Sequence, residues 1–223
     1  MTSKFFCNAP WASLSYINMR TLSPCCYILN QDHAFGNTIS EYFDSSELNK
    51  LKQDFLDGKK PERCKACWMY EDNDITSHRQ MIQSELPPNY NYKIDGLDRL
   101  QIQFHNNCNL ACHMCGSWNS SKWRKEAKIY NDNNGPHSPV NAAFNNLTDV
   151  LTINEFKQHI RNVRKILISG GEPFCHPSLI DIIKTAKYLG IENVAITTNG
   201  SLVNDKAIKE LFNKYSPKFK KAS

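Results

Sequence analysis

Hydrophobic and polar residues alternate in a short stretch near the start of the chain. Residues 11–17 alternate, and a second stretch over 20–28 follows after a short connection. Period-two alternation is typical of half-buried strands, so the pattern predicts two short strands. Folding them into a hairpin would bring Cys7 near Cys25 and Cys26.

The next apolar positions have the spacing of one helix face. A serine N-cap at Ser45 or Ser46 begins this helix, and Gly58 ends it, because glycine readily takes the backbone conformation that terminates a helix. The predicted buried stripe consists of Leu48, Leu51 and Phe55.

A polar stretch at residues 86–91 contains the paired prolines Pro87 and Pro88. Paired prolines stop regular elements, so this stretch predicts a linker and a domain boundary near residue 90. The expected domains are a small cysteine-rich α+β module over 1–90 and a second domain over 91–223.

Strand and helix patterns alternate along the second domain, and a polar loop is expected at 131–136. Strands joined by helices predict an α/β fold with a parallel sheet and right-handed crossovers. Three strands do not close a barrel, so we expect a partial, truncated β/α barrel. The predicted strands are Leu100–Phe104, Lys165–Ser169 and Val194–Thr198, and the predicted helices cover 120–130, 153–163, 178–189 and 205–212.

The composition, and the number of cysteines above all, indicates the class of protein. With 40% hydrophobic and 22% charged residues and no apolar run of bilayer length, the sequence predicts a globular cytoplasmic protein without membrane contact. Nine cysteines in a reducing compartment indicate metal ligation rather than disulfides. The net charge of +5 is scattered except at residues 218–221, which makes a nucleic-acid partner an unfavoured prediction.

Three cysteines, Cys108, Cys112 and Cys115, lie within eight residues in a loop after a predicted strand. Three soft thiolates so close together suit an iron–sulfur cube, and no fourth cysteine follows nearby. One iron would therefore keep an open coordination position, as catalytic metal sites do.

Two further motifs follow the next two strands. In the first motif, residues 170–173, a glycine pair lets the backbone approach a ligand closely, and an acidic side chain can accept hydrogen bonds from an ammonium group. The second is an Asn-Gly turn, which by itself is as typical of an ordinary turn as of a site. Both lie at the C-terminal strand ends, where parallel α/β folds place their sites. The predicted site residues here are Gly170, Gly171, Glu172, Pro173, Thr198 and Asn199.

The sequence CNLACHMC at 108–115 resembles the CxxxCxxC signature of the radical S-adenosylmethionine (radical SAM) superfamily, and GGEP and TNG resemble two further family motifs. The resemblance implies a 4Fe-4S cluster whose open iron is chelated by S-adenosylmethionine. The reduced cluster would cleave this cofactor to a deoxyadenosyl radical that abstracts hydrogen from a substrate.

The same resemblance implies roles for single residues and partners. Met114 stands where the family usually has an aromatic residue near the adenine, and Glu172 is the candidate for the methionyl amino group. An electron donor such as a flavodoxin or ferredoxin is implied. Family members also use later strands that this chain lacks, so we expect impaired turnover of the isolated chain.

The remaining motif cysteines lie in the first domain. Its segments CNAPW, SPCC, CKACWMYE and SHR resemble the SPASM and twitch auxiliary-cluster modules of radical enzymes that modify peptides, although such a module usually follows the barrel. The resemblance implies a second iron–sulfur cluster and, by analogy, a peptide substrate; a zinc site is the alternative. The implied ligands are Cys7, one of Cys25 or Cys26, Cys64 and Cys67.

Two rival functions remain open: a non-catalytic iron–sulfur electron carrier and a zinc-binding nucleic-acid module. Neither predicts affinity for S-adenosylmethionine. The other notable residues are predicted to be structural: Cys175 as a buried thiol, His105 and His113 as spacers, and Trp11 and Trp68 as core.

Overall fold

The computed structural model describes residues 3–17, 21–28, 35–36, 38–103, 105–113, 115, 120–123, 129, 163–177, 179–202, 206 and 209. The predicted loop at 131–136 and most of the predicted helices at 120–130, 153–163 and 205–212 lie outside these residues, although 121–123 of the first are helical. The basic residues at 218–221 lie outside them too.

The chain forms two compact units, residues 1–101 and 102–223. The boundary expected near residue 90 lies earlier than this division. The Tyr92 ring packs 5.1 Å from Phe6 and 5.0 Å from Trp11, and Asp98 N donates to Ala12 O at 2.8 Å. These contacts keep the stretch after the prolines with the first unit.

The first unit combines one hairpin with short helices. Its strands are hydrogen-bonded in the order β2-β1-β3. Its elements are α1 (Ala9–Ala12), β1 (Ser13–Ile17), β2 (Thr21–Ser23), α2 (Ile39–Asp44), α3 (Ser46–Leu56), a 3-10 turn (Glu62–Cys64), α4 (Lys65–Asp72), α5 (His78–Glu85) and β3 (Arg99–Gln103).

The predicted hairpin is confirmed. β1 pairs antiparallel with β2, with Tyr16 opposite Leu22, and both side chains are buried. The first strand begins later than the alternation predicts, because residues 11 and 12 belong to the helical turn α1, where the fixed backbone angle of Pro10 is favourable.

The predicted helix is also confirmed as α3. The Ser45 hydroxyl accepts a hydrogen bond from Leu48 N at 3.3 Å, which is the expected N-cap contact, and Gly58 takes a left-handed backbone angle of +74° just after the helix. The predicted stripe of Leu48, Leu51 and Phe55 is buried.

The second unit contains a parallel strand–helix–strand connection. β4 (Lys165–Ser169) pairs parallel with β5 (Asn193–Ile196), and α6 (Leu179–Tyr188) joins them. α6 buries Ile182, Ile183 and Ala186, and Gly190 follows it with a backbone angle of +77°. The described part of the chain is thus a mixed α/β fold with the predicted parallel crossover.

Within the described residues, none of the helices has the length and apolarity needed to cross a bilayer.

Replacing Phe55 by Ala should destabilise the full chain by about 3–5 kcal/mol, because the ring is 1% exposed and its loss leaves a cavity. Its neighbour Leu56 is 47% exposed, so Leu56→Ala should stay within about 0.5 kcal/mol of the parent. Urea unfolding followed by circular dichroism measures both. Equal losses in the two variants would contradict the orientation of α3.

Candidate functional site

The three clustered cysteines lie in the loop that follows β3. Cys108 and Cys115 are half-buried, and Cys112 is exposed. Burial raises the pKa of the Cys115 thiol, and the neighbouring Cys112 and Cys108 sulfurs raise it further by charge repulsion. The loop therefore brings the three sulfurs into electrostatic contact. Among the described residues, no three cysteine, histidine or acidic side chains are already close enough to hold one metal ion.

Two N–H groups point at the Cys108 sulfur. Leu110 N lies 3.4 Å and Asn199 Nδ2 lies 3.6 Å from this atom. Hydrogen bonds to a thiolate sulfur stabilise its negative charge and tune a cluster that it ligates. The Cys108 environment thus suits a thiolate ligand.

A short segment after the loop fixes its backbone. Ser120 Oγ donates to Leu110 O at 2.6 Å, and Trp123 Nε1 donates to Cys112 O at 2.8 Å. Ser121 Oγ both accepts from Cys108 N at 3.2 Å and donates to Cys108 O at 3.1 Å. Sequence reasoning missed these three residues. No local signal was available, since these bonds join residues 10 to 13 positions apart, beyond the range of local side-chain to backbone bonding.

The glycine pair Gly170 and Gly171 allows two segments of the chain to lie in close contact. Gly170 and Gly171 have backbone angles of +86° and +53°. A Cβ on Gly170 would lie 1.9 Å from the Gln103 Cγ, and one on Gly171 would lie 2.2 Å from Asn107 O. Any side chain here would push the loop after β3 away from the end of β4. The expected close approach to a ligand stays a prediction.

The Glu172 carboxylate joins the ends of β4 and β5. Its side chain is 0% exposed, and Oε1 accepts from Thr198 Oγ1 at 2.8 Å and from Phe174 N at 3.1 Å. Oε2 accepts from Asn199 N at 2.7 Å. A buried carboxylate requires such donors, because an unpaired buried charge is very costly. Glu172 N also donates to Asn107 O at 2.7 Å.

The turn after β5 connects back to the cysteine loop. Asn199 Nδ2 donates to Asn109 Oδ1 at 3.0 Å, and Asn109 Nδ2 donates to Ser201 Oγ at 2.7 Å. Asn199 Oδ1 accepts from Ser201 N at 2.9 Å. The three motifs that the sequence singled out are therefore joined by direct hydrogen bonds. Met114, the fourth predicted contributor, lies outside the described residues.

Two residues predicted to be structural are Cys175, which is less buried than predicted, and His105, which lies beside a second histidine. Cys175 is half-buried rather than buried, and it ends the 3-10 turn Pro173–Cys175 near Glu172 and Cys108. The buried His105 ring lies 4.8 Å from the His176 ring, and its Nδ1 accepts from Asn107 N at 2.9 Å.

Burial and the neighbouring His176 lower the pKa of His105 to about 4, so its imidazole is neutral at physiological pH. His113 is exposed. Both histidines remain close in sequence to the cysteines, and neither contacts a cysteine sulfur by a hydrogen bond among the described residues.

A second group of sulfurs surrounds one cavity in the first unit. Cys7, Cys25, Cys64 and Cys67 all line it. Burial raises the pKa of the Cys7 thiol to about 12 and the pKa of Cys25 well above its ordinary value, and the neighbouring sulfurs raise both further. These thiols would ionise together only if a cation compensated their charge. The predicted approach of Cys7 to Cys25 is confirmed.

Cys26 has a different environment from its neighbour Cys25. It is half-buried, and its sulfur lies 3.8 Å from His78 Nε2. It is absent from the described lining of the cavity. The structure therefore separates two cysteines that the sequence left equivalent.

Of the two tryptophans predicted as core, Trp68 is buried and Trp11 is half-buried. The buried Trp68 ring lies 6.1 Å from the Phe5 ring and 6.4 Å from the Phe55 ring, and its Nε1 donates to Pro61 O at 3.0 Å. Trp11 stacks on Phe6 at 5.3 Å.

Comparison with known proteins gives one family and several relatives. The radical SAM superfamily matches residues 102–215, which is about half of the chain. GTP 3',8-cyclase of Clostridium perfringens (strain SM101 / Type A) is 28% identical over 121 residues, which cover 52% of this chain and 31% of that protein. GTP 3',8-cyclase of Limosilactobacillus fermentum is 32% identical over 111 residues, covering 49% and 29%.

A shorter match is more similar. GTP 3',8-cyclase of Chlorobaculum tepidum is 51% identical over 43 residues, which cover 19% of this chain and 13% of that protein. The chain spans less than a third of the length of the curated relatives that it matches. No solved structure gives a significant match.

Replacing Glu172 by Gln should destabilise the chain by about 1–3 kcal/mol, because an amide NH2 would replace one acceptor oxygen and leave a buried N–H or O–H donor without its partner. Glu192→Gln is the control: this residue is 56% exposed and pairs with Arg164 at 3.6 Å, so its loss should cost less than about 1 kcal/mol. Chemical unfolding measures both, and a Glu172→Gln loss as small as the control's would contradict the described network.

Proposed function

This chain belongs to the radical SAM superfamily, and from that premise we propose that it cleaves S-adenosylmethionine reductively and uses the resulting radical on a substrate. The family match and the GTP 3',8-cyclase relatives support an enzyme. The observation that carries the proposal is the hydrogen-bonded connection of Cys108, Glu172 and Asn199, since it joins the three motifs at one edge of the sheet.

The proposed ligands of a 4Fe-4S cluster are Cys108, Cys112 and Cys115. Three thiols in one loop and the two N–H groups directed at the Cys108 sulfur fit such a cluster, because thiolates are its usual ligands. The bound cluster and S-adenosylmethionine would supply one-electron cleavage of the sulfonium to methionine and a deoxyadenosyl radical that abstracts hydrogen.

The chain's own residues would orient the cofactor. Among the described residues, three donors contact the Glu172 carboxylate, and an ionised carboxylate has about four lone-pair positions. Glu172 is the proposed acceptor for the methionyl ammonium group on the resemblance of GGEP to the family motif. Gly170, Gly171 and Pro173 would shape this edge, and Thr198 and Asn199 would fix the carboxylate. Met114 is proposed as the adenine contact on the resemblance alone.

The first unit is proposed to hold an auxiliary iron–sulfur cluster as a SPASM- or twitch-like module. Four thiols around one mainly apolar cavity support this, because thiolate-only sites accept iron–sulfur clusters as well as zinc. The contrast in burial favours Cys25 over Cys26 as the fourth ligand. A zinc site is the alternative, and metal analysis distinguishes it from an iron–sulfur cluster.

The proposed substrate is a peptide, by analogy with enzymes that carry such modules. The relatives' names specify GTP, and GTP is therefore the competing substrate. The proposed electron donor is a flavodoxin or ferredoxin, and the proposed location is the cytoplasm. A non-catalytic electron carrier or a zinc-dependent nucleic-acid module would replace this proposal if S-adenosylmethionine did not bind.

Anaerobic reconstitution with iron and sulfide should give a reduced cluster whose electron paramagnetic resonance spectrum changes on adding S-adenosylmethionine. Cys112→Ala should abolish that response, because it removes one proposed ligand, whereas Cys64→Ala should leave it. Deoxyadenosine formation with GTP or with a peptide library present measures turnover. A spectrum indifferent to the cofactor would reject the proposal.

In a Cys112→Ser background, where we expect the first cluster to be lost, Cys25→Ser should remove most of the remaining iron, because it deletes a buried cavity thiol. Cys26→Ser is the matched control and should retain the iron. Iron and zinc are measured by elemental analysis. Equal iron loss in the two variants contradicts the choice of Cys25, and zinc without iron contradicts the auxiliary iron–sulfur cluster.

A further inference from the structure

A mostly buried ion pair lies beside the cavity that Cys7, Cys25, Cys64 and Cys67 line. Arg79 Nε donates to Glu71 Oε1 at 2.9 Å, and Arg79 Nη2 donates to Glu71 Oε2 at 2.5 Å. The side chains are only 12% and 17% exposed. Two parallel bonds of this kind fix the guanidinium in position as well as in charge.

The same guanidinium holds the segment that carries Cys7. Arg79 Nη1 donates to Phe6 O at 2.8 Å and to Lys4 O at 3.4 Å. Its central carbon lies 5.3 Å from the centre of the Trp68 ring, next to Cys67 in α4. Arg79 therefore connects the backbone before one cavity cysteine to the helix that carries another.

The Glu71 carboxylate is held from the other side by the cap of α5. Ser77 Oγ donates to Glu71 Oε1 at 2.5 Å, and Ser77 also forms a capping box with Gln80. Burial alone would raise the pKa of Glu71, but the hydrogen bonds from Arg79 and Ser77 outweigh it and lower the pKa. The carboxylate is thus ionised at neutral pH.

Arg79 lines the cavity together with the four cysteines. It is the charged residue of the described lining at neutral pH, because burial lowers the pKa of the other titratable base, His78, to about 4. Burial raises the pKa of the Cys7 and Cys64 thiols, and the positive charge of Arg79 acts to lower both pKa values. The negative charge of Glu71 raises the pKa of Cys7 further.

Charge next to a cluster changes its reduction potential. Reduction adds one negative charge, so a nearby positive charge favours the reduced state and a nearby negative charge favours the oxidised state. The Arg79 and Glu71 charges therefore act on a cavity-bound cluster with opposite signs, whereas both side chains contribute to the same network of hydrogen bonds.

We propose that Arg79 is a positioning residue of the auxiliary centre that fixes the Cys7 segment against α4 and raises the reduction potential of the cluster bound there. Glu71 orients the guanidinium and lowers the potential in turn. This inference rests on the auxiliary iron–sulfur cluster proposed above.

The test uses the full chain carrying Cys112→Ser, so that the observed signal belongs to the auxiliary cluster. Redox titration followed by electron paramagnetic resonance should show a lower potential for Arg79→Gln and a higher one for Glu71→Gln. We expect about a tenfold change in the ratio of reduced to oxidised cluster at a fixed potential, which is about 59 mV for a one-electron couple. Both variants should lower the Tm of the metal-free protein.

Two controls separate charge from structure. Arg79→Lys keeps the charge but loses the paired bonds, so it should lower the Tm with little change in potential. Lys59→Gln removes an exposed charge that pairs with Asp54 and Asp57, and it should leave the potential unchanged. If Arg79→Gln does not fold, Arg79→Lys and Glu71→Gln decide the outcome.

The failures are distinguishable. Absence of iron and of any signal in the Cys112→Ser protein would overturn the auxiliary cluster and this inference with it. A signal whose potential stays unchanged, or moves in the same direction in Arg79→Gln and Glu71→Gln, would overturn the role of Arg79 and leave the cluster proposal standing.

Discussion

The architecture of the candidate site depends on one buried carboxylate. Glu172 has no contact with solvent, and a carboxylate in that position is tolerated only when hydrogen-bond donors surround it. Its three donors come from the turn after β4 and the turn after β5, so the need to satisfy one charge fixes two strand ends together. The amide of the second turn, Asn199, then reaches the Cys108 sulfur.

The parts of the fold that follow from local pattern were predictable. The apolar periodicity of three elements, α3, β4 and α6, is visible in the sequence of each element alone. A glycine after α3 and another after α6 mark where these helices end. The short helices α4 and α5 were missed. Each has only eight residues, and their burial depends on Trp68 and Ile82 packing in the folded unit rather than on a clear apolar stripe.

The candidate site was predictable in its residue types but not in its connections. Cysteine spacing and the glycine pair can be read from the sequence, yet nothing local indicates that Ser121 bonds both backbone groups of Cys108 or that Cys26 faces His78. The sequence also could not distinguish Cys25 from Cys26, because the two adjacent residues are both cysteines and differ only in the direction of their side chains. Direction is set by the tertiary fold.

The contrast in exposure between the two groups of cysteines has a consequence for the order of assembly. Cys112 faces solvent, so a metal-delivery protein or an oxidant can reach its loop after the chain has folded. Cys7 and Cys25 are buried, and Cys64 of the same cavity is half-buried, so an ion would reach this cavity less readily than the Cys112 loop. The exposed loop would therefore be the faster to load and the faster to lose its metal in air.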